Sequence, residues 1–197
     1  MTLVFASNNA HKLEEVRSMM PDFVKVLSLN DIGFEAEIEE TGTTLEENSA
    51  IKADAVYQWI NRQSSYRQSL DGVFADDTGL EIDALDGKPG VYTARWAGEP
   101  AANRKKALAE LKGKANRNAQ FRTVITMIKV SGERFAVSGI VRGRIAEQEY
   151  GVGGFGYDPV FIPEGYDKTF GELPAEVKNS ISHRSRALAA LVDVLKR

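Results

Sequence analysis

Leu3-Val4-Phe5-Ala6 is a short apolar run that turns polar at Ser7-Asn8-Asn9, and beyond Ala10-His11-Lys12 the apolar residues change period. The run reads as a buried strand. Leu13, Val16, Met19 and Met20 then recur at helical spacing until Pro21 stops the pattern. Phe23 to Leu29 alternates apolar and polar residues and reads as a second strand. Strand, loop, helix, strand is the opening of an α/β protein.

The same logic extends downstream. Thr43-Thr44 precedes Glu46-Glu47 at the spacing of a reciprocal helix cap, so a helix is expected from Leu45 to about Ile60. Asn61 to Asp71 is polar and reads as a loop. Val73 to Ala75 reads as a buried strand ending in Asp76-Asp77-Thr78-Gly79, with Leu80 to Leu85 strand-like again. Gly87 to Pro100 is loop-rich, and Ala101 to Leu111 is a basic amphipathic helix. Phe121 to Val130 and Arg134 to Val141 form a hairpin turning at Ser131-Gly132-Glu133. A strand at Val160-Phe161-Ile162 and a final helix with a Leu188, Leu191, Val192, Leu195 stripe complete the chain.

The 197 residues are 43% hydrophobic and 27% charged, enough apolar surface for one domain with a sizeable core. Cysteine is absent, which excludes disulfides and thiolate metal sites, and two histidines make a zinc site a poor fit. The N-terminus lacks the basic segment and long apolar run of a signal peptide, and no stretch is long enough to span a membrane. A cytoplasmic protein is the expectation. A net charge of −3 and a pI near 5.6 disfavour a nucleic-acid surface and point to a small-molecule partner.

Several segments carry candidate chemistry. Ser7 to Lys12, between a strand and a helix, offers backbone N–H groups and a helix dipole to an anion, or is an ordinary polar turn. Asp76-Asp77, placed after an apolar strand, would stand where α/β folds bind ligands and suits Mg²⁺, or forms a turn. Glu39-Glu40 precedes a helix on which Asn48 and Lys52 share a face, giving acids for an ion and an amide and ammonium for phosphate, or surface pairs. Gly151-Val152-Gly153-Gly154-Phe155-Gly156 matches a dinucleotide fingerprint only formally, because Tyr157-Asp158-Pro159 follows in place of a helix. That loop could stack and bond a base, or be an aromatic corner. Ser182 is a natural N-cap, and His183 and Arg184 oppose the helix dipole unless an acceptor-rich ligand is near, or are an exposed basic pair.

Taken in order, these motifs resemble those of the inosine/xanthosine triphosphate pyrophosphatase family. The resemblance runs from Phe5 to Leu195, through Ala6-Ser7-Asn8-Asn9 with Lys12, Glu39-Glu40-Thr41-Gly42, Glu47-Asn48-Ser49-Ala50 with Lys52, and Ala75-Asp76-Asp77-Thr78-Gly79-Leu80. It continues through Gly87-Lys88-Pro89-Gly90-Val91-Tyr92-Thr93-Ala94-Arg95, Gly153-Gly154-Phe155-Gly156-Tyr157-Asp158-Pro159 and Ser182-His183-Arg184. It implies an elongated single α/β domain, with a long twisted mixed β-sheet flanked by helices and two lobes around an active-site cleft. It implies a homodimer and Mg²⁺-dependent hydrolysis of ITP, dITP or XTP to the monophosphate and pyrophosphate. Glu40 and Asp77 would be metal ligands and Asp77 the catalytic group, with Asp76 the alternative for orienting water. Ser7, Asn8, Asn9, Ala10, His11, Lys12, Lys52 and Thr78 would hold the triphosphate. Phe155, Gly156, Tyr157, Asp158, Lys178, His183 and Arg184 would hold base and sugar. Ser7-Asn8-Asn9 departs from the Thr-Gly-Asn of many relatives, and Asn at the glycine position tolerates a left-handed backbone. The rival readings are a related pyrophosphatase for modified pyrimidines or dTTP, and a nucleotide-binding regulator without turnover.

Overall fold

The computed structural model describes residues 1–196, less the side chains of Ser65 and Arg67. In chain order the elements are β1 (Thr2–Phe5), α1 (Ala10–Met19), β2 (Lys25–Leu27), α2 (Leu45–Asn61), α3 (Ser64–Ser69), β3 (Gly72–Ile82) and β4 (Pro89–Gly90). There follow α4 (Pro100–Glu110), β5 (Asn118–Lys129), β6 (Arg134–Ile145), β7 (Phe161–Pro163), α5 (Ala175–Ile181) and α6 (His183–Leu195). The strands make one mixed sheet in the order β2-β1-β3-β5-β6-β7, with β4 on β3. The architecture is α/β, as the opening segment predicts.

The chain divides into two compact units, one comprising Met1–Asp77, Thr123–Ser138 and Ala187–Arg197, the other Thr78–Arg122 and Gly139–Arg186. In the first, β1 runs parallel to both β2 and β3, with Leu3 opposite Val26 and Gly72, and Phe5 opposite Phe74. Side chains alternate across a strand, and two apolar layers result. Leu3, Phe5 and Phe74 pack with Val16 of α1 and Leu188 and Leu191 of α6. Val4, Val73 and Ala75 pack with Ala53, Val56 and Ile60 of α2. Each fully buried Leu, Val or Phe here contributes roughly 1.5–3 kcal/mol.

In the second unit, Leu80 and Ile82 of β3 join Phe121, Val141, Ile145 and Phe161 around Ala107 of α4. The Phe161 ring lies 4.8 Å from Phe121 and 5.4 Å from Phe170. Tyr157 belongs to this core, its hydroxyl donating to the Thr93 carbonyl at 3.1 Å.

Three expectations need correction. The strand expected over Phe23–Leu29 is only β2, because a 3-10 turn at Asn30–Ile32 and the Val24 N–H bond to the Pro21 carbonyl bend both flanks. The polar stretch 61–71 contains α3, and α5 forms before the last helix. Most consequentially, Asp76-Asp77-Thr78-Gly79 is not a break between strands: β3 passes through it. The two acids look turn-forming in isolation, but each pairs with a lysine, Asp76 with half-buried Lys12 and Asp77 with buried Lys52, and the strand continues. β1 makes its last registered pairing at Phe74, so both acids lie beyond the carboxyl end of that neighbour.

Candidate active site

The loop leaving β1 is organised by its own side chains. The Asn9 amide oxygen accepts from the Lys12 N–H at 3.1 Å and caps α1, while Ser7 Oγ accepts from the Asn9 N–H at 3.2 Å. Asn8, Ala10 and His11 are exposed. Asn8 does not take the left-handed backbone allowed for it: among the described residues, Asp86 is the non-glycine with positive φ. Lys12, half-buried in the first helical turn, donates to Asp76 Oδ1 at 2.9 Å.

Alternation along β3 sends Asp76 and Asp77 to opposite faces. Asp76 shares the face of Phe74 and meets Lys12 of α1; Asp77 shares the face of Val73 and Ala75 and meets Lys52 of α2. Lys52 Nζ stands 3.2 Å from Asp77 Oδ1 and 2.7 Å from Glu40 Oε1. One cation therefore gathers the two acids expected to bind metal. Burial works against the Lys52 ammonium, but the charges of Asp77, Asp76 and Glu40 outweigh it and raise its pKa. Burial pushes the Asp77 carboxyl up against the pull of Lys52 and Lys12. Among the described residues nothing donates to the buried Asp77 Oδ2.

α2 is placed by the expected cap: Thr44 Oγ1 accepts from the Glu47 N–H at 3.1 Å, and the Glu47 carboxylate accepts from the Thr44 N–H at 3.2 Å. Asn48, read from sequence as a phosphate donor, instead uses its amide oxygen to accept from the Gly42 N–H at 2.8 Å. That contact has no local sequence signature, because it joins a loop glycine to a helix residue.

The second unit holds another cluster. Asp158 Oδ2 accepts from Lys178 Nζ at 2.6 Å and from the Phe155 N–H at 2.8 Å. Gly154 adopts φ +69°, and a side chain there would strike the Asp158 carboxylate. Lys178 and Arg184 both lie over the Phe155 ring, at 4.7 and 5.8 Å. Arg184 is only 2% exposed and reaches Thr78 Oγ1 at 3.4 Å. His183, also buried, stacks on Phe121 at 4.7 Å, and Ser182 caps α6 through the Ser185 N–H. Gly156 receives an Arg104 hydrogen bond on its carbonyl. Burial pushes the Tyr157 phenol well above its ordinary range.

The residues expected to hold metal and phosphate thus fall largely in the first unit, and those expected to hold the base in the second. Sequence reasoning gave no role to Asn103, a buried amide that accepts from the Ala97 N–H and donates to the Thr93 and Ala94 carbonyls. It pins the glycine-rich segment before α4, and only its burial identifies it.

A sequence model described as the Ham1 family matches residues 3–194. The chain is 48% identical to the dITP/XTP pyrophosphatase of Flavobacterium johnsoniae, covering 99% of this chain and 98% of that one. It is 47% identical to that of Flavobacterium psychrophilum over the full length of both. Among solved structures, the Staphylococcus aureus Ham1 protein superposes with a TM-score of 0.85 at 39% identity, covering 100% of this chain and 98% of the other.

Proposed function

Because this chain belongs to the Ham1 family, we propose that it hydrolyses deaminated purine nucleoside triphosphates, dITP, ITP and XTP, to the monophosphate and pyrophosphate. The observation that carries the reading beyond likeness is the Glu40–Lys52–Asp77 group, with its buried Asp77 oxygen free of donors among the described residues. A buried acceptor without a donor is costly unless a ligand or ion completes it.

The donor set fits Mg²⁺. Among the described residues no three acidic or imidazole side chains gather as a metal cage, and Mg²⁺ usually takes one or two carboxylates with substrate phosphates completing its shell. Glu40 and Asp77 would hold the ion. When bound it would neutralise charge on the phosphate oxygens and on the departing pyrophosphate. The protein's own part is positional. Lys12 and Lys52 supply fixed positive charge for the triphosphate, together with the N–H groups at the start of α1 and the Thr78 hydroxyl. Asp77 Oδ2 accepts a hydrogen bond from the attacking water and aims it at the α-phosphorus. One water is consumed, the bond from the α-phosphorus to the bridging oxygen breaks, and pyrophosphate leaves.

Phe155 offers a ring face to the base, with Lys178 and Arg184 as donors and Asp158 fixing Lys178. Donor-only side chains favour a 6-oxo purine over a 6-amino one. A homodimer and a cytoplasmic address belong to the same proposal; no helix among the described residues is long and apolar enough to cross a membrane. The test is product identity. Incubation with dITP and Mg²⁺ should release pyrophosphate and dIMP in equal amounts, and release of orthophosphate would refute the reaction class.

A further inference from the structure

Glu40 lies in a segment, 33 to 44, that has no helix or strand of its own, yet its carboxylate reaches Lys52 on α2. The chain between Glu40 and α2 is held by its backbone. Three successive N–H groups point into the first turns of that helix: Gly42 donates to Asn48 Oδ1 at 2.8 Å, Thr43 to Glu47 Oε2 at 2.6 Å and Thr44 to Glu47 Oε2 at 3.2 Å. Thr43 Oγ1 adds a fourth bond to the same Glu47 oxygen at 2.9 Å. Glu47 caps the helix, and its two backbone bonds stop at Thr43. Among the described residues, it is Asn48 that grips the residue two places from Glu40.

The fit at that grip is close. A Cβ on Gly42 would stand 2.6 Å from Asn48 Oδ1 and 2.7 Å from Glu47 Cβ, so any side chain at 42 pushes the loop off the helix. Asn48 is fully buried, one turn before Lys52 on the same face of α2. Its amide nitrogen has no hydrogen-bond partner among the described residues, so its oxygen alone holds the loop.

We infer that Asn48 and Gly42 form a clamp that positions the Glu40 carboxylate for the metal, making Asn48 a positioning residue and not a phosphate donor. The inference rests on the proposed metal-dependent reaction. Groups that orient metal ligands typically change metal affinity about 10- to 100-fold when removed. Asn48→Ala breaks the clamp from the helix side. Gly42→Ala breaks it from the loop side without altering any polar side chain.

The experiment measures Mn²⁺ binding to the purified protein by electron paramagnetic resonance, beside the Mg²⁺ concentration giving half-maximal dITP turnover. Circular dichroism establishes that each variant is folded. Both variants should weaken Mn²⁺ binding and raise the Mg²⁺ requirement about 10-fold, far more than they change turnover at saturating Mg²⁺. The double variant should be no worse than either single one, because both remove the same contact. Glu47→Gln should have a smaller effect. Unchanged Mn²⁺ affinity in either folded variant overturns the clamp, as does a collapse of saturated turnover at unchanged metal requirement. If neither variant folds, the pair is a folding element and the clamp is likewise overturned. Failure of the wild type to turn over dITP strikes the proposed function instead, and Mn²⁺ binding still decides the clamp.

Discussion

Asp76 and Asp77, adjacent on β3, are held by different lysines on different helices: Asp76 by Lys12 of α1 at 2.9 Å and Asp77 by Lys52 of α2 at 3.2 Å. The period of two along a strand separates them, although the sequence reads them as one acidic pair. Asp77 shares its cation with Glu40. On the proposed reaction, Asp77 takes the metal-facing role and Asp76 holds Lys12.

The two acids should therefore fail differently when neutralised. Asp77→Asn is expected to lower turnover of dITP by roughly 10²-fold or more, since both the ion and the oriented water lose their oxygen. Asp76→Asn should act mainly through Lys12, raising KM more than it lowers kcat. Steady-state kinetics at saturating Mg²⁺ check this, and equal losses in kcat would contradict the division.

Removing Lys52 tests the buried ion group. Without it, Asp77 loses its nearest counter-charge beside Glu40, and breaking a buried pair such as Lys52–Asp77 costs on the order of 3–5 kcal/mol. Lys52→Met should be destabilised in thermal unfolding without metal, and Mg²⁺ should restore part of the loss. A melting temperature equal to that of the wild type would show that the group is solvated. Activity should fall regardless, because the triphosphate loses a fixed positive charge.

How far the residues speak for themselves varies by element. The α/β opening, the Thr44–Glu47 cap, the hairpin of β5 and β6 and the stripe on α6 are local patterns, and each is found in the structure. The continuity of β3 through Asp76-Asp77 is not local, because it depends on Lys12 and Lys52 arriving from elsewhere. For the same reason Tyr157 and His183, polar in sequence, occupy a core with Phe121, which is distant in the chain from both. The Asn48–Gly42 contact spans only six residues, yet no capping or pairing pattern in the sequence marks it.

The helix cap predicts a pH effect. The bonds from Thr43 and then Thr44 hold the Glu47 carboxyl below its ordinary value of 4.5. A lowered folded pKa contributes stability that is fully present above the unfolded value and is lost as pH falls through the folded one. Glu47→Gln should therefore lower the melting temperature near neutral pH, and the gap from wild type should close as the solution is acidified below about pH 4.5. A gap independent of pH would assign the loss to packing.

Arg184 tests base recognition. It is buried over Phe155 beside Lys178, and both are hydrogen-bond donors only. Arg184→Ala should reduce the preference for ITP over ATP, because a lost donor removes discrimination worth on the order of 1–3 kcal/mol. An unchanged ratio of kcat/KM for the two nucleotides would remove Arg184 from the specificity site.

The most direct test of the central claim is kcat/KM for the wild-type protein on dITP, XTP, ITP, ATP, GTP and dTTP, with Mg²⁺ present and pyrophosphate as the readout. The proposed function predicts that the deaminated purines exceed ATP and GTP by at least about 10-fold, with dTTP lower still, and the donor side chains around Phe155 account for the discrimination against ATP. Equal efficiency on ATP and ITP, or a preference for dTTP, would contradict it.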